Sequence, residues 1–152
     1  MESTILLWTT IAGLVALAFS GLLFTQILAL PEGNDKMKSI ALAIKTGANA
    51  YLMRQYKVVA IIAVIMFLFL GFFLSWTSGA GFVLGAVVSA LSGYIGMGVA
   101  VRANVRTAER ARLGIPAALG TAFKAGSITG ITVAALALLS VTVFYWMTKS
   151  LV

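Results

Sequence analysis

Few side chains in this sequence could carry out a reaction. The 152 residues include four carboxylates, Glu2, Glu32, Asp35 and Glu109, and eleven Lys and Arg residues, with neither histidine nor cysteine. Clustered carboxylates hold divalent cations or share acid–base work, but these four are scattered along the chain. Without histidine the commonest general base and metal ligand is missing. Without cysteine there is no thiolate nucleophile, disulfide or Cys-based metal site. Zinc hydrolysis and Ser-His-Asp catalysis are therefore closed to this chain alone. Arg54, Lys57, Arg102 and Arg106 could draw in an anionic substrate; the plainer role of loop and lipid anchor is favoured. No catalytic, cofactor-binding or metal-ligating residue is assigned.

The charges have to be positioned by elements unlike those of a water-soluble domain. Only 10% of residues are charged and 61% are hydrophobic, against about 25% charged in an ordinary globular chain. Too few charges exist to coat a core in water, so lipid must be part of the solvent. The net charge of +7 sits mainly in two clusters beside apolar stretches, the pattern of membrane loops facing anionic lipid. No groove-reading module accompanies it, and nucleic acid is not an expected partner.

Four membrane spans are predicted, at about 5–30, 58–75, 80–104 and 125–147. The first has no basic n-region and is too long for a signal peptide h-region; Pro31, Glu32 and Gly33 end it. From about 36 to 57, Ile40, Ile44, Ala48, Tyr51 and Leu52 recur at helical spacing, with Lys38, Lys45 and Asn49 elsewhere around the turn. This amphipathic stretch runs straight into the second span, so that helix is expected to protrude into the cytoplasm. No charge occurs between Val58 and Val101, and Ser75-Trp76-Thr77-Ser78-Gly79 supplies a turn, with Trp76 as an interfacial aromatic. A polar cytoplasmic loop is expected at about 105–124, broken by Gly114-Ile115-Pro116. Tyr145, Trp146 and Lys149 anchor the far end.

Orientation follows from the basic residues. Five follow the first span (Lys36, Lys38, Lys45, Arg54, Lys57) and five follow the third (Arg102, Arg106, Arg110, Arg112, Lys124). The positive-inside rule puts both groups in the cytoplasm and both termini outside.

Small residues repeat every fourth position in the third span, at Gly81, Gly85, Ser89 and Gly93, and in the fourth at Ala122, Gly126, Gly130 and Ala134. Such rows let helices approach closely in lipid, and close helix packing is the expected role of Gly81, Gly85, Ser89, Gly93, Gly126 and Gly130. Gly93-Tyr94-Ile95-Gly96-Met97-Gly98 has the glycine spacing of a dinucleotide loop, but it lies mid-span with no strand before it. No acidic residue falls inside a span. A proton or sodium carrier needs an ionisable group there, which argues against a rotary-ATPase proteolipid and a small multidrug exporter.

Several segments resemble one family. Gly47-Ala48-Asn49-Ala50-Tyr51-Leu52-Met53-Arg54-Gln55-Tyr56-Lys57 is similar to the pattern G-A-x-A-[FY]-L-x-R-[EQ]-Y-K of the membrane-bound pyrophosphatases. Gly85-Ala86 through Ser89, Ser92 through Met97 and Ala103-Asn104-Val105-Arg106-Thr107 resemble its next segment. Ala118-Leu119, Ala122-Phe123, Gly126 and Gly130 resemble the one after that. The resemblance implies the first four helices of a much larger subunit that pairs as a homodimer. Such a subunit couples pyrophosphate hydrolysis to proton or sodium pumping. It further implies magnesium, with potassium as an open second ion, held by aspartate-rich segments that this chain lacks. The expected partners are then the rest of the pump subunit, membrane lipid and pyrophosphate. On this reading the chain alone is inactive. The alternative is a membrane structural or assembly module with no activity of its own. The short N-terminus points to a prokaryotic plasma membrane, multi-pass.

Overall fold

In a computed structural model, residues 2–149 form four helices and, among the described residues, no strand. The helices are α1 (Glu2–Leu28), α2 (Asp35–Phe73), α3 (Trp76–Ala111) and α4 (Ile115–Thr148). All four are long and apolar enough to cross a membrane, and the chain is an all-α, polytopic membrane protein. At 1.5 Å per residue α1 is about 40 Å long and the other three about 50–60 Å. A hydrocarbon core of about 30 Å leaves α2, α3 and α4 extending well beyond it.

Local sequence sets each boundary. After α1 the chain passes Pro31 and then Gly33, whose φ of +83° lies in the left-handed region. Asn34 caps α2, its Oδ1 accepting from the Met37 amide at 3.0 Å, which satisfies one of the orphan donors of the first turn. The α2–α3 turn is only Leu74 and Ser75. Ser75 caps α3 by accepting from the Ser78 amide at 3.1 Å, so α3 begins at Trp76 rather than near Ala80. Trp76 folds back on α2: a Cβ placed on Gly71 would stand 2.7 Å from its ring.

The stretch 105–124, expected as a polar loop, is helical except for Arg112, Leu113 and Gly114. The reason is compositional: Ala, Arg and Glu are strong helix formers whatever their polarity. The break falls where Gly114 takes φ +112° and Pro116 opens the first turn of α4, a position proline tolerates because its missing N–H has no helical partner there.

Packing follows chain order imperfectly. α4 lies closely against both α1 and α3, α2 packs closely on α3, and among the described residues the α1 and α2 backbones do not approach one another. The buried core is small, formed by Ile27, Val99, Ala103 and Ile128 with Phe24, Ile95 and Ala125 against it. Elsewhere large apolar side chains such as Leu22, Ile61, Phe72 and Trp146 face outward, as helices solvated by lipid require. Inside, hydroxyls link α1 to α4: Ser20 donates to the Ile128 carbonyl at 3.1 Å and stands 2.6 Å from the Thr132 hydroxyl. Tyr56 of α2 donates to the Ala90 carbonyl of α3 at 2.6 Å.

Candidate functional site

Members of both basic groups, Lys38 and Lys45 of the first and Arg102 and Arg106 of the second, line one hollow at the end of the bundle where α1 and α3 end and α2 and α4 begin. Arg106 is the centre of that end and, at 6% exposure, a buried charge. Its Nε donates to the Leu30 carbonyl at 3.1 Å and its Nη2 to the Leu28 carbonyl at 3.3 Å. The same Nη2 lies 2.9 Å from a Glu32 carboxylate oxygen, and Nη1 donates to the Arg102 carbonyl at 2.7 Å. One guanidinium therefore fills carbonyl positions that the end of α1 leaves open and neutralises the acid just beyond. Nearby, Lys124 of α4 donates to the Gln26 amide oxygen of α1 at 3.0 Å.

The remaining acids have separate partners. Asp35 lies 3.6 Å from Lys38, and Glu109 lies 3.4 Å from Arg112. Glu2, at the opposite end of the bundle, accepts from the Tyr145 hydroxyl. Among the described residues no three His, Cys, Asp or Glu side chains converge on a point that could hold a metal ion. Arg54 and Lys57 are exposed on α2 and are not brought to Arg106.

The small residues of α3 and α4 divide into two sets. A Cβ on Gly81 would meet Phe144 Cζ at 2.9 Å, and one on Gly93 would meet the Tyr56 hydroxyl at 3.1 Å. Around Gly85, Gly126 and Gly130 there is nothing within 4 Å. Gly85, Ser89 and Gly93 line an open groove of about 690 Å³ between α3 and α4. Close approaches outside the six positions assigned to helix packing occur at Gly13, against Leu139 at 2.7 Å, and at Gly96, against Thr129 at 3.0 Å.

Sequence reasoning placed Arg106 among substrate attractors or lipid anchors and missed its role as a clasp. The available signal was an acid, Glu32, directly after α1 and an arginine near the end of α3 on the same side. The partners are 76 to 78 residues apart for the two carbonyls, which local pattern does not pair.

A family model described as inorganic H⁺ pyrophosphatase matches residues 14–152. The chain is 46% identical over 137 residues to a K(+)-insensitive pyrophosphate-energized proton pump of Methanosarcina mazei, covering 89% of this chain and 20% of that protein. It is 40% identical over 134 residues to a K(+)-stimulated pyrophosphate-energized sodium pump of Thermotoga maritima, covering 87% of this chain and 18% of that protein. A proton pump of Moorella thermoacetica, also K(+)-insensitive, is 42% identical over 135 residues, with 88% and 20% covered. The chain thus spans about a fifth of the length of these curated relatives.

Proposed function

The chain belongs to the inorganic H⁺ pyrophosphatase family, and from that premise we propose that it forms the N-terminal four-helix portion of a pyrophosphate-energised ion pump in the cell membrane. The observation that carries this reading is the continuous match over residues 14–152, which takes in all or most of every helix. The transported ion is a proton or sodium, since relatives named for each are similar to this chain.

Within such a pump these helices would act as scaffold. Diphosphate hydrolysis calls for several carboxylates holding magnesium around the substrate, with an oriented water or base. The carboxylates here do not fit that role, because Glu32, Asp35 and Glu109 each face a cation and Glu2 lies at the other end. Magnesium, and potassium where it is needed, would be held by the rest of the pump subunit, and no step of the reaction is assigned to this chain. The basic end faces the cytoplasm on this reading, where Arg106 keeps the α1–α2 connection fixed to α3. A homodimer of the complete subunit is the assembly that the family resemblance supports.

The test is magnesium-dependent pyrophosphate hydrolysis by the purified 152-residue chain. No turnover above the uncatalysed rate is expected; measurable turnover would overturn this division of labour.

A further inference from the structure

Because the α1 and α2 backbones stay apart, a cleft opens between them, floored by α3 with Ile128 and Thr132 of α4. It encloses about 600 Å³ and is walled by apolar side chains, Leu17, Phe24, Leu52 and Ile95 among them, a size in the range of ligand cavities at roughly 300–1,000 Å³. Gly21 also lines it, with nothing within 4 Å of where a Cβ would sit. At the basic end the cleft adjoins a second hollow of about 290 Å³, and Leu28, Lys45, Val101 and Arg102 line both.

Four cations border this mouth: Lys38, Lys45, Arg102 and Arg106. Two of them are compensated, Arg106 by Glu32 at 2.9 Å and Lys38 by Asp35 at 3.6 Å. Lys45 and Arg102 have no carboxylate within ion-pair distance among the described residues; Arg102 Nη1 donates to the Gly98 carbonyl at 2.9 Å. Two uncompensated cations at the mouth of a largely apolar slot, which Ser20, Asn49 and Thr132 also line, favour a ligand that is both anionic and apolar.

We propose that this cleft is a binding site for one anionic phospholipid. The phosphate sits between Lys45 and Arg102, and an acyl chain runs along Leu17, Phe24, Leu52 and Ile95. The gap between α1 and α2 is the lateral entrance from the bilayer. An apolar helix lodged in the same cleft would leave both cations without an anion, and charge complementarity therefore selects the lipid.

The chain, purified in neutral detergent and offered equimolar phosphatidylglycerol and phosphatidylcholine, is followed by native mass spectrometry. One phosphatidylglycerol is retained per chain, at least about tenfold over phosphatidylcholine given the attraction of each basic residue for anionic lipid. Lys45→Gln, at an exposed position, lowers that preference several-fold, and adding Arg102→Gln brings it to parity. Gly21→Leu fills the slot while leaving both cations in place and lowers retention of both lipids, at unchanged helicity by circular dichroism. Equal retention by the parent chain, or a preference that survives the double variant, overturns the proposal. A photo-crosslinking amino acid at Asn49 in cell membranes gives a lipid adduct; a protein adduct in its place assigns the cleft to a helix and also overturns it.

Discussion

The Arg106 guanidinium lies 2.9 Å from the Glu32 carboxylate while hydrogen-bonding the Leu28 and Leu30 carbonyls, so a single α3 side chain holds the end of α1 and the entry to α2. Removing it strands those acceptors. Arg106→Ala is expected to lower stability by roughly 2–4 kcal/mol, since three hydrogen bonds from a buried charged group to carbonyls and a half-buried ion pair are lost together. Glu32→Gln should cost only about 1 kcal/mol or less, because the Glu32 side chain is 44% exposed and water can replace part of its partner. Arg106→Lys recovers only part of the loss, as an ammonium cannot reproduce the fork. Thermal unfolding in detergent orders the three variants; equal effects of Arg106→Ala and Glu32→Gln would refute the clasp.

Gly33 controls the same connection from the backbone. Its φ is +83°, and an added Cβ would meet the Met37 sulfur at 2.5 Å and the Glu109 carboxylate at 2.7 Å. Gly33→Ala is expected to cost about 1–3 kcal/mol through a left-handed non-glycine residue, with the clash in addition. A melting temperature unchanged from the parent protein would contradict it.

Substitutions of the small residues should separate by contact rather than by spacing. Gly13→Ala and Gly81→Ala press on Leu139 and Phe144 and should destabilise the isolated chain. Gly126→Ala and Gly130→Ala meet open space and should be neutral or stabilising by up to about 1 kcal/mol, because alanine is the better helix former. Denaturant titration of the four variants checks this, and destabilisation by Gly126→Ala and Gly130→Ala equal to that by Gly13→Ala and Gly81→Ala would contradict the separation by contact.

The four helices were legible in the sequence because uncharged apolar runs long enough to cross lipid have little place in a water-soluble chain, and the overshoot of α2 followed from its amphipathic start. The charged stretch around Arg106 and Arg110 was not legible as helix. Polar residues there are helical all the same, with Arg106 buried, and taking polarity for irregular backbone shortened α3 and delayed α4. The Ser75 cap was hidden in a cluster of turn-forming residues. The Arg106 clasp and the cleft between α1 and α2 depend on how helices pack, which periodicity within one helix does not encode.

Topology offers an independent check. A cysteine at exposed Ser39 should react with impermeant maleimide only from the cytoplasmic side, and one at exposed Thr77 only from outside. Thr77 is the better reporter of its turn because the Ser78 hydroxyl lies 2.9 Å from that of Ser75. The reverse labelling pattern would invert the assigned orientation.

Ion transport by a completed pump is the decisive experiment for the scaffold role. Residues 14–152 are joined in place of the matching fifth of a related proton pump, and pyrophosphate-driven acidification is followed in inside-out membrane vesicles. Magnesium-dependent acidification is expected from the chimera and none from the 152-residue chain alone. A chimera that is present at full length and dispersed in the membrane, yet neither hydrolyses pyrophosphate nor moves protons, would contradict that role.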